Sequence, residues 1–399
     1  MPGALSMTLA EVAAAAGTTP GTVRRWVQAG LVPQYPGAPA PWSGQAAAHV
    51  RIIARLRDRG HTIAEIREAS DSGRLAFGFV QELFPHHEGR YTLEEAAELT
   101  GLEPALIDRF YKTVGLGEAA PEHLHEDDLA LLRDAAAVLE AGFPFVAFMQ
   151  LARVYGQAIA QMADASVRLV HLYVHEPLMR DGIDSVEMAE QMTNLTRQVL
   201  PLAAPLTERL HQRFLQHFVE QDVVGHMELD LDQSGELGRM RVAIAFADLA
   251  GYTRMTEELG DAEAAGVVER FIDRVEATLP ENARVIKTIG DEVMIVGSDA
   301  TALTAWAVRF QAAEVQRPRP RIGVHCGDVV YRDGDYYGRE VNQAARVVAR
   351  AGAGEVLVTG AVVDAVGDVL RFEPIGAVKL KGFADATELS LASSARSGP

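Results

Sequence analysis

FADLAGYT, running from Phe246 to Thr253, and KTIGDEVM, from Lys287 to Met294, decide how the C-terminal part of this 399-residue chain is read. Each closes an apolar run with an aspartate and places a glycine nearby. RVAIAFADL reads as a strand that ends at Asp248, and ARVIKTIGDEVMIVG reads as two strands joined at Gly290-Asp291. Taken singly, either aspartate is an ordinary turn residue. If the strands are neighbours, both carboxylates reach one sheet edge. Hard oxygen ligands of that kind suit Mg²⁺ or Mn²⁺, and two such ions can activate a hydroxyl and hold a leaving phosphate.

The surrounding pattern alternates strand and helix over about 240–392 and predicts an α+β domain. TEELGDAEAAGVVERFIDRVEATL reads as one helix, ATALTAWAVRFQAAEV as a second and REVNQAARVVARA as a third. RIGVHCGDVVYRDG reads as a strand or hairpin, EVLVTG as a strand, and the segment from Arg371 to Ala392 as a closing hairpin. VNQAAR sets Asn342 and Arg346 four apart, on one helical face. An arginine so placed can neutralise charge that develops on a transferring phosphate.

FADLAGYT, KTIGDEVM, DYYGREVNQAARV and KLKG, in this order, resemble the catalytic domain of class III nucleotidyl cyclases, which has a ferredoxin-like fold. The resemblance implies that Asp248 and Asp291 hold two Mg²⁺ or Mn²⁺ ions per site. It implies that Lys287 and Asp335 read the purine and that Lys381 binds the terminal phosphates. Asn342 and Arg346 would stabilise the transition state, and Phe246 and Gly290 would shape the metal and phosphate loops. RDGDYYG offers both Asp333 and Asp335, and counting back from Gly338 selects Asp335. Adenine presents an N1 acceptor and a 6-amino donor, which a lysine and an aspartate complement, whereas guanine presents the reverse. A mismatched buried polar group costs about 1–3 kcal/mol, so the pair points to ATP. In the family each site forms across a dimer interface, with the metal aspartates and Lys287 from one chain and Asn342 and Arg346 from the other. A homodimer with two equivalent sites is the expectation. The GG-acidic-acidic-Phe signature of diguanylate cyclases is absent, because IGDEVM has a single glycine and no phenylalanine.

The N-terminal half reads as all-α. TLAEVAAAAGTTPGTVRRW from Thr8 and TLEEAAELTGLEPALIDRF from Thr92 are copies offset by 92 − 8 = 84 residues. Each has a threonine N-cap with a glutamate three residues on, a glycine turn, and a proline opening the next helix. This outlines a helix-turn-helix. Residues about 7–70 resemble the winged helix-turn-helix of MerR-type regulators. That resemblance implies that the helix over Pro20–Ala29 lies in a DNA groove, with Arg24 and Arg25 near the DNA and Arg51, Arg55, Arg57 and Arg59 adding basic charge. The second copy is acidic, which phosphate repels, and the competing reading is that both copies are protein-interaction modules that kept the fold. The expected division is 1–75 for the first copy, 85–150 for the second, 151–228 for a helical dimerisation and regulatory region, 229–239 for a linker, and 240–392 for the catalytic domain.

The layout of helical region, linker and cyclase resembles the actinobacterial pH-responsive adenylyl cyclases, whose N-terminal part is autoinhibitory and can hold a fatty acid. Eleven of the twelve histidines lie at or before His226, which suits a pH sensor. His211, His217 and His226 stand nearest the linker. Net charge −18 argues against general nucleic-acid binding by the whole chain, and one cysteine, Cys326, excludes a disulfide framework within it. No long apolar run and no signal-peptide pattern is seen, so a cytoplasmic protein without a membrane span is expected. Two functions compete: a homodimeric adenylate cyclase under N-terminal control, and a transcription regulator whose cyclase-like domain senses a nucleotide without turning it over. The full set of catalytic residue types favours the enzyme.

Overall fold

A computed structural model describes residues 7–32, 42, 44–72, 74–75, 91–116, 124–183, 185–228, 239–315 and 317–394. The expected linker at 229–239 lies outside these except for Arg239, which begins a strand. The chain divides into two compact units, Met1–Leu215 and Gln216–Pro399.

The first unit is helical, and the sequence repeat appears in it as a structural repeat. Helices α1 (Leu9–Ala15), α2 (Pro20–Gln28), α3 (Gly44–Asp58) and α4 (Ile63–Asp71) form one copy. Helices α5 (Leu93–Thr100), α6 (Pro104–Val114), α7 (Glu126–Glu140) and α8 (Phe145–Val170) form the other. Thr8 with Glu11 and Thr92 with Glu95 close reciprocal capping boxes, and Pro20 and Pro104 sit in the first turns of α2 and α6. Each copy carries one isolated bridge ahead of its third helix, Met7 with Trp42 and Tyr91 with Leu124. Each has its own core, around Val23, Trp26, Leu31 and Ile53 in the first and around Ile107, Phe110, Leu129 and Leu132 in the second.

Before Pro177 the helix passes through a single π-helical turn, His171–His175, after which α9 (Glu176–Arg180) continues. Helix α10 (Ser185–Glu228) is one 44-residue helix with Pro201 and Pro205 inside it. Leu202, Leu206, Leu210 and Phe214 recur at four-residue steps along α10 and are exposed.

The second unit holds one mixed sheet with strands in the order β2-β3-β1-β4-β6-β8-β7. Its first half runs β1 (Arg239–Leu249), α11 (Tyr252–Leu259), α12 (Asp261–Thr278), β2 (Ala283–Ile289), β3 (Glu292–Gly297), α13 (Ala300–Ala313) and β4 (Pro320–Arg332). The order β2-β3-β1-β4 with both crossovers helical is the ferredoxin-like arrangement expected. Then follow β5 (Asp335–Tyr337), α14 (Arg339–Val348), β6 (Val356–Thr359), α15 (Gly360–Val366), β7 (Leu370–Lys379) and β8 (Ala386–Ser394). Two readings are corrected. The helix expected from Thr256 to Leu279 is broken at Gly260, whose φ of 86° no helix accommodates. Helix α15, after EVLVTG, was not anticipated.

Strand alternation sorts β1 onto two faces. Ala243, Ala245, Ala247 and Leu249 join the core with Phe271, Leu303 and Trp306. Val242, Ile244 and Phe246 face the other way, packing with Met294, Tyr336, Val341 and Ala344. Asp248 follows on that second face.

Candidate active site

Central strand β1 pairs antiparallel with β3 on one side and β4 on the other, and Asp248 stands opposite Arg321 of β4. The Asp248 carboxylate is largely buried and accepts from Arg321 Nε at 2.6 Å, with Arg321 Nη2 on the same oxygen. Between β2 and β3 the chain turns at Gly290, whose φ of 66° suits a residue without Cβ, and this turn presents Asp291. The Asp291 carboxyl lies against that of Asp248. Burial, followed by the hydrogen bond and charge of Asp248, pushes its pKa up to about 6. Burial also raises the pKa of the neighbouring Glu292, Asp248 adds to this, and the charges of Arg321 and Arg346 oppose it.

The two aspartates therefore converge at one edge of the sheet, as their positions predicted. Two crowded carboxylates fit a hard divalent cation, which removes their repulsion while using oxygen donors. Among the described residues no group of three or more His, Cys, Asp or Glu side chains could hold a metal ion by protein ligands alone. An ion at this edge would complete its shell from water and a bound phosphate, the usual habit of Mg²⁺.

On the second face of the sheet, Lys287 of β2 is ion-paired with Asp335 at the start of β5. Asp335 Oδ1 accepts from the Tyr336 amide at 2.8 Å, and the buried Tyr336 hydroxyl accepts from Arg284 Nη2 at 2.9 Å. The Arg284 guanidinium lies over the Phe218 ring, 5.2 Å from its centroid. Lys287 and Asp335 are thus brought together within one protomer, beside the buried Tyr336. Asp333, the alternative to Asp335, takes a positive φ of 52° at the β4–β5 turn.

Helix α14 carries Asn342 and Arg346 on its solvent side while Val341, Ala344, Val347 and Val348 are buried. Neither exposed side chain makes a hydrogen bond or ion pair with another described residue. Lys381 is exposed in the turn after β7. Phe246 is a core side chain on the second face and supports the strand beneath Asp248. Nothing in the sequence short of the β1–β4 register reveals that Arg321 meets Asp248.

In the first unit, Arg24 and Arg25 are exposed on α2. Arg57 is spent locally, donating to the His61 carbonyl at 2.6 Å. His211 Nε2 lies 3.2 Å from the Tyr155 hydroxyl, and the His217 ring lies against Phe218. The side chain of His226 is outside the described residues. No helix among the described residues is long and apolar enough to cross a membrane.

Comparison with known families matches residues 238–392 to the adenylate and guanylate cyclase catalytic domain. Residues 43–219 match the adenylate cyclase regulatory domain, and residues 7–72 match the MerR HTH family of regulatory proteins. The chain is 29% identical over 329 residues to a pH-sensitive adenylate cyclase of Mycobacterium tuberculosis, covering 81% of each protein. It is 31% identical over 283 residues to an adenylate cyclase of Streptomyces griseus, covering 68% of this chain and 67% of that one. An adenylate cyclase of Streptomyces coelicolor is 28% identical over 285 residues, covering 69% and 72%.

Proposed function

This chain belongs to the adenylate and guanylate cyclase family, and we propose that it acts as a homodimeric adenylate cyclase controlled by its helical N-terminal half. The reaction is attack of the ribose 3′-oxygen of ATP on the α-phosphorus. A new P–O3′ bond forms, the bond to the β-phosphate oxygen breaks, and cyclic AMP and pyrophosphate result. Asp248 and Asp291 would hold two Mg²⁺ or Mn²⁺ ions, which when bound supply Lewis acidity to the 3′-hydroxyl and balance the charge of the pyrophosphate. Lys287 donates to adenine N1 and Asp335 accepts from the 6-amino group. Asn342 orients the ribose. Arg346 offers its planar set of N–H donors to the α-phosphate as charge builds there. Lys381 attracts the terminal phosphates. Gly290 lets the turn that carries Asp291 close tightly.

The observation that carries this reading is a division of labour. The two aspartates converge and engage Arg321 and each other, whereas the Asn342 and Arg346 side chains are exposed and make no hydrogen bond or ion pair among the described residues. Side chains of that kind on a rigid helix suit a site completed by a second copy, with the aspartates from one protomer and Asn342 and Arg346 from its partner. The exposed Leu202, Leu206, Leu210 and Phe214 stripe of α10 gives a second copy an apolar surface to cover. Control follows from such a site, because a shift of ~1 Å between protomers costs ~10²-fold in rate. The relative from Mycobacterium tuberculosis is named for pH sensitivity, so pH is the first signal to test here, through His211 and His217; a fatty acid in the helical half is the second.

The test is complementation between full-length chains. Asp291→Ala and Arg346→Ala proteins are each inactive as homodimers. Mixed after co-expression, they restore cyclic AMP synthesis, because one of the two sites in each mixed dimer is intact. No recovery in verified mixed dimers would rule out the shared site.

A further inference from the structure

Helix α14 must be held in one register on the sheet if Asn342 and Arg346 are to meet a nucleotide correctly. Its buried side is Val341, Ala344, Val347 and Val348. Apolar contact of this sort is non-directional and tolerates sliding and rotation. Alternate residues of β4 beneath it are Gly323, His325 and Gly327, which all point to α14. The two glycines form a seat: a Cβ at 323 would lie 2.2 Å from the Val348 nitrogen, and one at 327 would lie 2.8 Å from Glu340 Cγ.

Between the glycines stands His325, buried and bonded at both ring nitrogens. Nδ1 lies 2.8 Å from Thr359 Oγ1 at the end of β6, and Nε2 lies 2.5 Å from Glu340 Oε2 in the first turn of α14. A carboxylate only accepts, so Nε2–H donates to Glu340 and the Thr359 hydroxyl donates to Nδ1. One neutral tautomer satisfies all three groups. Burial holds the imidazole's pKa below its ordinary value, with Glu340 opposing, in keeping with that form. The other side-chain hydrogen bond from α14 among the described residues, Gln343 Nε2 to Thr387 Oγ1, is longer at 3.4 Å. His325 also stands opposite Ile244 of β1, four residues before Asp248.

We propose that His325 and Glu340 are positioning residues for the reaction: their hydrogen bond, with the glycine seat, sets the register of α14 and so the reach of Asn342 and Arg346. This rests on the shared-site cyclase proposed above. Neither residue touches the nucleotide. His325 is the one histidine of the chain beyond His226, outside the cluster that a pH sensor would use.

The test begins with full-length His325→Phe and Glu340→Ala homodimers. Both lose about 10²-fold in kcat while KM for ATP stays within about threefold, since Lys287 and Asp335 are untouched. Glu340→Gln retains an oxygen acceptor for Nε2–H and stays within about threefold of wild type in kcat. The decisive step uses the complementing pair. His325→Phe placed in the Asp291→Ala chain, which supplies Arg346, lowers activity of the mixed dimer by about the same 10²-fold. Placed in the Arg346→Ala chain, it leaves the mixed dimer within about threefold. Equal losses in the two placements, or a His325→Phe homodimer with wild-type kcat, would overturn the proposal. A silent complementing pair beside an active wild type instead overturns the shared site, and the homodimer kcat and KM values still decide on His325.

Discussion

Gly323→Ala is the sharpest perturbation of the catalytic helix. A Cβ at this position would lie 2.2 Å from the Val348 nitrogen, 2.7 Å from its Cα and 2.9 Å from the Val347 carbonyl carbon. All three are backbone atoms of α14 or its last turn, so no side chain can swing aside. Ordinary contact starts at 3.4 Å, so the helix must retreat by 3.4 − 2.2 = 1.2 Å or the strand must bend by as much. Arg346, two residues before Val348, moves with it. A displacement of ~1 Å costs ~10²-fold in rate, equal to about 2.7 kcal/mol of barrier. Overpacking of this kind also costs about 1–3 kcal/mol of stability, so the variant should still fold. The assay is the initial rate of cyclic AMP formation by full-length protein at saturating Mn²⁺ and ATP, beside thermal unfolding. Gly266→Ala is the control: it lies in α12, its Cβ would meet the far end of the Arg270 side chain at 3.4 Å, and helical Gly→Ala gains about 0.5–1 kcal/mol. A folded Gly323→Ala protein with wild-type kcat would refute the link between the β4 seat and the catalytic helix.

Three further outcomes are expected. His49 is buried, lies 3.5 Å from Ser70 Oγ and hydrogen-bonds the Leu31 backbone, and burial lowers its pKa from 6.5 to about 4. The unfolded chain takes up this proton below pH 6.5 while the native chain does not, so stability is fully present above 6.5 and falls as pH drops toward 4. The loss is about 3 kcal/mol at most; melting curves of wild type and His49→Asn between pH 4 and 7 should converge at the acid end, and parallel curves would contradict this. Arg284→Ala removes the donor to the Tyr336 hydroxyl beside Asp335, and should raise KM for ATP by about 3–10-fold with less change in kcat; the reverse pattern would place Arg284 elsewhere in the mechanism. Exchanging the purine pair, as Lys287→Glu with Asp335→Lys, should lower the ATP-to-GTP preference by about one to two decades, read from cyclic AMP and cyclic GMP yields; an unchanged ratio would remove Lys287 and Asp335 from base recognition.

The parts of the structure legible in the sequence are those written in local pattern. The capping boxes at Thr8 and Thr92, the two helix-turn-helix copies, the Gly290-Asp291 turn and the strand–helix alternation all depend on residues within one turn or hairpin. The α+β class followed from that alternation, and the ferredoxin-like order from the family resemblance alone. What escaped depends on pairing or on one backbone angle. Gly260 breaks a helix that its neighbours would continue. Arg321 meets Asp248, and His325 meets Glu340, only because β4 lies beside β1 and beneath α14. A lone buried histidine in GVHCG carries no sign of its partner until that packing is known.

The most direct measurement of the central claim is product formation by the purified full-length protein given Mn²⁺ with ATP or GTP. Wild type should yield cyclic AMP and pyrophosphate from ATP in equal amounts, with far less cyclic GMP from GTP. The Asp248→Ala, Asp291→Ala double variant should yield neither. Equal cyclic AMP from the double variant, or none from a folded, dimeric wild type across pH 5.5 to 8, would contradict an adenylate cyclase built on these two aspartates.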